Sequence, residues 1–146
     1  MPKTKENEIV EDMNPWTYDG TIVDSIPEKT MGFVYLLTHV PTGKQYIGKK
    51  LFWFAGTKQV KGKIKKVKKE SDWKTYHSSC EEIVASVKEK GPKDWTREIL
   101  HYAKTKGTLN YLEAREQMDR RVLENPDKYI NGIISCRIHW SHVKLT

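Results

Sequence analysis

The fold of this chain is decided by the stretch GFVYLLTHVPTGKQYIGKKLF, residues 32–52. Each half of the stretch is an alternating apolar run, and the Pro-Thr-Gly sequence between the halves supplies turn chemistry. The pattern predicts a β-hairpin with strands at residues 33–38 and 45–52. Tyr35 and Tyr46 lie almost symmetrically about the turn, so folding of the hairpin would bring the two phenols close together.

A first helix is predicted after the hairpin. Ser78 with Glu81, or Ser79 with Glu82, forms a capping box where the helix would begin, and the Gly-Pro pair at 91–92 would end it. Apolar residues recur at helical spacing within this segment, at Cys80, Ile83, Val84 and Val87.

The remainder of the chain predicts a strand at 95–102, a longer helix at 109–124 and an extended segment at 129–138. The longer helix has an apolar stripe for the core, formed by Tyr111, Ala114, Met118 and Val122. This element order predicts an α+β fold, in which a small, mostly antiparallel, three-stranded sheet is flanked by helices.

One folded domain is predicted, preceded by an extended arm. Residues 1–30 have little periodicity and are expected to form a partly flexible arm, although Trp16 and Tyr18 should pack back onto the domain. The domain itself is expected at residues 31–146. It includes a lysine-rich insertion at 56–70, which is either a second, irregular hairpin or a long loop.

Positive charge is concentrated beside the tyrosine hairpin. The chain has 26 Lys and Arg against 19 Asp and Glu, a net charge of +7. Such an excess favours a polyanionic partner, because a nucleic acid would release counterions on contact with the lysines. A solvated surface loop is the alternative interpretation. The candidate DNA-binding lysines are Lys49, Lys50, Lys58, Lys61, Lys63, Lys65, Lys66, Lys68 and Lys69.

The cysteines indicate a reducing compartment, so we expect a cytoplasmic protein. Cys80 and Cys136 give no disulfide framework. No apolar run approaches the roughly 20 residues that a membrane-spanning helix needs. Zinc is a minor alternative for the tail, where Cys136, His139 and His142 could act with His77 or Cys80, but the spacing is not that of a familiar zinc module.

The tyrosine hairpin resembles the signature of the GIY-YIG nuclease superfamily, which consists of small metal-dependent endonucleases. The second half of that signature, residues 46–48, is literal here, whereas Gly32 stands one residue further from Tyr35 than a strict Gly-Ile-Tyr requires. The resemblance extends over about residues 31–135. The chain looks most like the free-standing GIY-YIG endonucleases of bacteriophages, some of which are homing enzymes.

The resemblance implies roles for three residues of the chain. Tyr35 would be the general base, with a phenol pKa lowered by nearby lysines, and Tyr46 would orient the water or the scissile phosphate. Glu113 would be the metal ligand, and Glu116 is its rival one turn further along the helix. A single carboxylate suits Mg²⁺, with Mn²⁺ as an alternative ion, because Mg²⁺ keeps several waters and uses phosphate oxygens.

The resemblance also implies supporting residues. His77, in the segment Tyr-His-Ser-Ser, would donate to the phosphate or assist the water, and Asn131 would position the backbone or the metal site. The family's catalytic arginine is missing, because no arginine precedes residue 97. A lysine would have to replace it, with Lys74 as the first choice and Lys49 or Lys50 as the second.

The function predicted from these residues is a divalent-metal-dependent DNA endonuclease that hydrolyses phosphodiester bonds. The resemblance further implies a phage-encoded enzyme with DNA as its partner and no membrane partner. It would act on DNA either as a single protomer or as a homodimer. The first alternative is a catalytically inactive nucleic-acid-binding protein that uses the lysine-rich loop. The second is a basic module that binds an acidic protein.

Overall fold

The computed structural model of the protein describes residues 13–145, so the flexible end predicted before them lies outside the described residues. The strands are β1 (Trp16–Tyr18), β2 (Thr21–Val23), β3 (Gly32–His39), β4 (Gln45–Leu51), β5 (Trp53–Val60), β6 (Lys63–Glu70) and β7 (Trp95–Ala103). The helices are α1 (Glu81–Lys90) and α2 (Lys106–Asp119). No helix within residues 13–145 is long and apolar enough to cross a membrane.

The α+β fold class is confirmed, and the central sheet has five strands in the order β2-β1-β7-β3-β4. Its antiparallel centre, β7-β3-β4, is the predicted three-stranded sheet. The two additional strands come from the predicted arm, where β1 pairs in parallel with β7 and β2 pairs with β1. Each of these strands has three residues, too few for a period-2 pattern to be recognised.

Strand β3 lies at the centre of the core because both of its faces are covered. Phe33, Tyr35 and Leu37 belong to one cluster, with Trp16 and Trp73 as its largest other members. The alternate residues of the strand face the opposite cluster, beneath α2. The sheet thus separates two apolar layers, and the arm and the segment before α1 close the first of them.

The predicted capping box at the first helix is wrong. Helix α1 has Cys80 as its N-cap residue, and no side chain caps it. Ser78 instead has a φ of 83°, and its Oγ accepts a hydrogen bond from the Cys80 backbone N–H at 2.9 Å. The Ser78 hydroxyl therefore closes a tight turn before the helix. The end at Gly91 is confirmed.

The second helix begins earlier than predicted, and its buried stripe is different. Thr105 caps α2 by accepting a hydrogen bond from the Thr108 backbone N–H. Ala114 is buried as predicted, but Met118 is 60% exposed. The buried set is Thr108, Leu109, Leu112, Ala114 and Gln117, so the buried face lies to one side of the predicted stripe and includes two polar residues.

The C-terminal segment is not the extended strand that was predicted. Tyr129 forms a single parallel bridge with Gln45 at the edge of β4, and a short 3₁₀ helix follows at Trp140–His142. Backbone hydrogen bonds from the Gln45 N–H to the Lys128 carbonyl and from the Ile130 N–H to the Gln45 carbonyl, each 2.8 Å long, fix the segment at the sheet edge, and side-chain bonds from Asn131 follow.

The lysine-rich insertion is a regular two-stranded hairpin, which confirms the hairpin alternative. Strands β5 and β6 pair with each other in a separate sheet. Lys61 and Gly62 form the turn between them with φ angles of 51° and 77°, the conformation of a type I′ hairpin turn. We call this hairpin, residues 53–70, the basic ribbon.

Candidate active site

The two signature tyrosines lie side by side, with 6.3 Å between their ring centroids. A β-bulge interrupts the pairing of β3 with β7 immediately before Tyr35, and bulges commonly redirect a side chain. A Cβ atom on Gly48 would lie 2.5 Å from Tyr35 Cζ and 2.9 Å from Tyr46 Cε1. Glycine is therefore required at the third signature position, because the Tyr35 phenol crosses directly over that backbone.

Burial raises the pKa of both tyrosines, a direction opposite to the lowering by lysines that was expected for Tyr35. Tyr35 is only 1% exposed, and its pKa lies well above its usual value because of burial and the neighbouring Tyr76 phenol. Burial likewise raises the pKa of Tyr46. A hydrogen bond with Ser78 opposes the shift at each phenol. Both tyrosines are neutral hydrogen-bonding groups at neutral pH.

A cavity of about 360 Å³ opens between β4, α2 and the start of α1. It brings together four residues that the sequence singled out: Tyr46, Lys49, Glu113 and Asn131. Tyr35 lies beneath this opening, against Tyr46. The cavity is also lined by Ser79, Cys80, Gln117, Ile130, Gly132, Ile133 and Ser135.

Glu113 is a half-buried carboxylate that faces a lysine in this cavity. Its side chain is 17% exposed, and its Oε1 atom lies 3.7 Å from Lys49 Nζ. Burial raises the pKa of Glu113, and the Lys49 ammonium opposes that shift. Lys49 Nζ also donates a hydrogen bond to Asn110 Oδ1. An anionic ligand entering the cavity would thus meet the exposed Lys49 ammonium group and the Glu113 carboxylate, which is partly withdrawn from water.

Asn131 binds the backbone of the signature strand. Its Nδ2 donates to the Ile47 carbonyl at 2.8 Å, and its Oδ1 accepts from the Ile47 N–H at 2.9 Å. Gln117 Nε2 donates to the same carbonyl at 3.1 Å. Asn131 therefore holds the residue between Tyr46 and Gly48. Gln117 was not identified from the sequence, although its position four residues after Glu113 places it on the same helix face.

Glu116 is occupied elsewhere, which removes it as a rival to Glu113. Its Oε1 lies 2.5 Å from His101 Nε2, and Arg120 Nε donates to its Oε2 at 3.0 Å. These two partners lower its pKa, although burial acts in the opposite direction. Glu116 is absent from the residues that line the cavity at Tyr46.

His77 is buried rather than exposed on the surface. Its Nδ1–H donates to the Thr75 carbonyl oxygen at 3.0 Å, and its Nε2 has no partner among the described residues. Burial, together with the Arg97 guanidinium, lowers the pKa of His77 to about 4. The ring is therefore neutral at neutral pH and offers an acceptor, not a cation, to its surroundings.

The structure does not bring Lys74 or Lys50 to the cavity in the way that the sequence suggested. Lys74 is exposed and extends over the Trp73 ring, 5.8 Å from its centroid. Lys50 is only 9% exposed and lies 2.6 Å from Asp72 Oδ1 and 4.0 Å from the Tyr76 ring centroid. Both lysines are held by their own neighbours, so Lys49 is the lysine that lines the cavity.

Arg97 supports the segment before α1, a role that the sequence did not reveal. It is 3% exposed and donates hydrogen bonds to the carbonyl oxygens of Asn14, Lys74 and Tyr76. Burial lowers its pKa to about 9, so it remains charged at neutral pH. The sequence feature that could have indicated this role is the position of Arg97, a charged residue, in the strand predicted at residues 95–102.

The donor set at the cavity fits a cation that requires few protein ligands. Within residues 13–145, no group of three or more His, Cys, Asp and Glu side chains is arranged to hold a metal. This finding gives the zinc alternative no support. Glu113 alone suits a hydrated Mg²⁺ or Mn²⁺ ion, which would fill its other positions with water and phosphate oxygens.

The hairpin with two tyrosines, the glutamate on the helix after β7 and the asparagine at the β4 edge define a GIY-YIG nuclease domain. The family model described as "Putative endonuclease segE, GIY-YIG domain" matches residues 16–134. The chain therefore belongs to this GIY-YIG family. No curated protein and no solved structure gives a significant match. Family membership implies a nuclease with a DNA substrate, and GIY-YIG nucleases generally depend on a divalent metal.

Proposed function

We propose that this chain is a Mg²⁺-dependent DNA endonuclease that hydrolyses phosphodiester bonds and is encoded by a phage. Mn²⁺ would be accepted in place of Mg²⁺. The carrying observation is the half-buried Glu113 carboxylate, which shares one cavity with Tyr46 and Lys49. A reducing cytoplasm suits the two cysteines, which are both free.

Glu113 would hold the metal, which supplies positive charge against the phosphate when bound. Glu113 would present its partly buried carboxylate to the ion, beside the Lys49 ammonium at 3.7 Å. Lys49 would act as the cation that the missing arginine provides elsewhere in the superfamily. As a point charge it would pair with one phosphate oxygen at a time.

Tyr46 is the phenol that would contact the substrate, because it lines the cavity whereas Tyr35 lies beneath it. With a raised pKa, Tyr46 would donate a hydrogen bond to the scissile phosphate or to the attacking water. Tyr35 would be a positioning residue that acts through Tyr46 and Ser78. Because the Tyr35 phenol is buried and its pKa is raised, we do not assign it as the general base.

The test is cleavage of supercoiled plasmid by the purified protein in Mg²⁺ and in EDTA. We expect Glu113→Gln to abolish cleavage, and Tyr46→Phe and Lys49→Gln each to reduce the rate by about 10²-fold, as for loss of one preorganised charge or donor. Two matched controls, Glu89→Gln and Lys74→Gln, change exposed residues and should leave the rate within about twofold. Salt-sensitive DNA binding without cleavage by the wild-type protein would establish the inactive binding protein instead.

A stability measurement on the Glu113→Gln variant tests whether loss of cleavage comes from misfolding of that variant. A carboxyl group with a raised native pKa binds its proton more readily in the native state, so it lowers stability as pH rises through the interval between the unfolded and native pKa values. Removing the charge should therefore raise the melting temperature at neutral pH, and the gain should shrink as the pH is lowered below that interval. A lower melting temperature of Glu113→Gln at pH 7 would contradict the raised pKa of the Glu113 carboxyl group.

A further inference from the structure

The basic ribbon carries lysines on both of its faces. Residues that are directly paired across β5 and β6 share a face, and successive pairs alternate between faces. One face therefore holds Lys58, Lys63, Lys65 and Lys69, and the opposite face holds Lys66 and Lys68. Among residues 58–69 there is no acidic side chain to neutralise either face.

Neither face of the ribbon is buried against the rest of the described protein. Every residue from 53 to 70 is exposed or half-exposed, and Ile64 near the tip is 77% exposed. Lys58 and Lys65 are paired directly across the strands, an arrangement of like charges that destabilises a hairpin. A lone two-stranded hairpin is marginally stable in water. A polyanion that neutralised both faces would stabilise this ribbon.

The base of the ribbon is fixed to the segment before α1, where the Tyr76 ring lies 6.0 Å from the Tyr35 ring. Lys50 lies between the rings of Phe54, in β5, and Tyr76, in the segment before α1, at 5.0 and 4.0 Å from their centroids. Ser71 follows the ribbon and donates its N–H to the Phe52 carbonyl at 2.7 Å. Substrate held by the ribbon would therefore be held at a defined position relative to the cavity.

We infer that the ribbon inserts turn-first into the major groove of duplex DNA, with the lysines of each face against the phosphates of one strand. This inference rests on the proposed function and names double-stranded DNA as the substrate class. A sheet layer with its side chains is about 10 Å thick, which fits the major groove, about 12 Å wide, but not the minor groove, about 6 Å wide. The turn at Lys61 and Gly62 would then lie nearest to the base edges.

Binding in the catalytically inactive Glu113→Gln background tests the two-faced contact, whether or not the wild-type protein cleaves DNA. The matched variants are Lys63→Gln with Lys65→Gln on one face, and Lys66→Gln with Lys68→Gln on the other. Each pair should reduce the slope of log Kobs against log salt by about 1.8, because each phosphate contact contributes about 0.9. Lys88→Gln with Lys90→Gln, on α1, should leave the slope unchanged. If only one face alters the slope, the ribbon lies flat on the DNA and the inference is overturned.

Groove occupancy is tested with the same protein and chemically modified duplexes. Bulky substituents on pyrimidine C5, which project into the major groove, should weaken binding at least roughly tenfold, whereas a saturating minor-groove ligand should have no effect. Double-stranded RNA should bind weakly, because its major groove is too narrow to admit the ribbon. Equal affinity for single-stranded DNA, or competition by the minor-groove ligand, would refute insertion into the major groove.

Discussion

At the scale of single residues, the site depends on how closely the signature side chains pack. The Tyr35 ring lies against Tyr46 and Tyr76, at centroid distances of 6.3 and 6.0 Å, and its phenol occupies the space above Gly48. This packing leaves Tyr35 almost without solvent, which raises its pKa and makes it a fixed neighbour of the cavity rather than a base. The Tyr35 ring can lie there because residue 48 is glycine and has no side chain.

Gly48→Ala should therefore be more disruptive than its size suggests. The added methyl group would collide with the Tyr35 ring, and overpacking of this kind typically lowers the free energy of unfolding by about 1–3 kcal/mol. We expect a lower denaturation midpoint and slower DNA cleavage, because Tyr46 must move as well. Gly132→Ala is the control, since a Cβ atom there meets nothing within 4 Å. Equal stability of the two variants would argue against the close packing.

His77 should make the fold sensitive to acid. Its native pKa is about 4 and its ordinary value is 6.5, so between these values the unfolded state binds a proton that the native state excludes. Stability contributed by the neutral ring is present above pH 6.5 and is lost as the pH falls towards 4.

Urea denaturation as a function of pH measures this contribution. Between pH 7 and pH 4 the wild-type protein should lose on the order of 3 kcal/mol more than His77→Gln, from a shift of roughly 2.5 pKa units. His139→Gln, at an exposed histidine, should follow the wild-type curve. Parallel curves for the wild type and His77→Gln would show that His77 is protonated in the native protein.

At the scale of elements, β4 is an edge strand that side chains complete. Its inner edge pairs with β3, and its outer edge is completed by the bridge to Tyr129 and by the Asn131 and Gln117 carboxamides. Asn131 thus acts as a short neighbouring strand at Ile47. Since β4 carries Tyr46 and Lys49, the late asparagine determines where these two cavity residues lie.

Asn131→Ala should loosen this edge. The Ile47 N–H would lose its buried acceptor, which costs about 1–3 kcal/mol, whereas the Ile47 carbonyl would keep its bond from Gln117. We expect a lower free energy of unfolding by denaturation and faster hydrogen exchange of the Ile47 amide, together with reduced cleavage. Asn125→Ala removes an exposed asparagine that makes one backbone bond and should cost less than half as much. Unchanged exchange at Ile47 would contradict the role.

At the scale of the whole molecule, the candidate site within residues 13–145 has one carboxylate, that of Glu113, to which we assign the metal. A single protomer should then cut one strand of a duplex at a time. In a time course with protein below the plasmid concentration, we expect nicked circles to accumulate before linear DNA. Linear product without a nicked intermediate, with a rate that rises as the square of protein concentration, would indicate cleavage by the homodimer.

The elements that could be predicted from the sequence are those specified by residues close together in the chain. The hairpin at 32–52, the end of α1 at Gly91 and the strand β7 follow from alternation and turn chemistry among near neighbours. The strands β1 and β2 do not, because each has three residues and exists only by pairing with β7 or with each other. The buried face of α2 was predicted only in part, because it includes Thr108 and Gln117, two polar residues that an apolar pattern does not mark.

For the site, the residue types could be read from the sequence, because the tyrosine hairpin, the helical Glu113 and the late Asn131 follow one another in the order of the family. Which of these residues share a cavity, and which groups are charged there, depends on contacts between distant parts of the chain. Lys49 faces Glu113 whereas Lys50 is paired with Asp72, although the two lysines are adjacent in the chain. The physical reason is that successive strand residues point to opposite faces, and burial then raises or lowers each pKa according to the neighbours on that face.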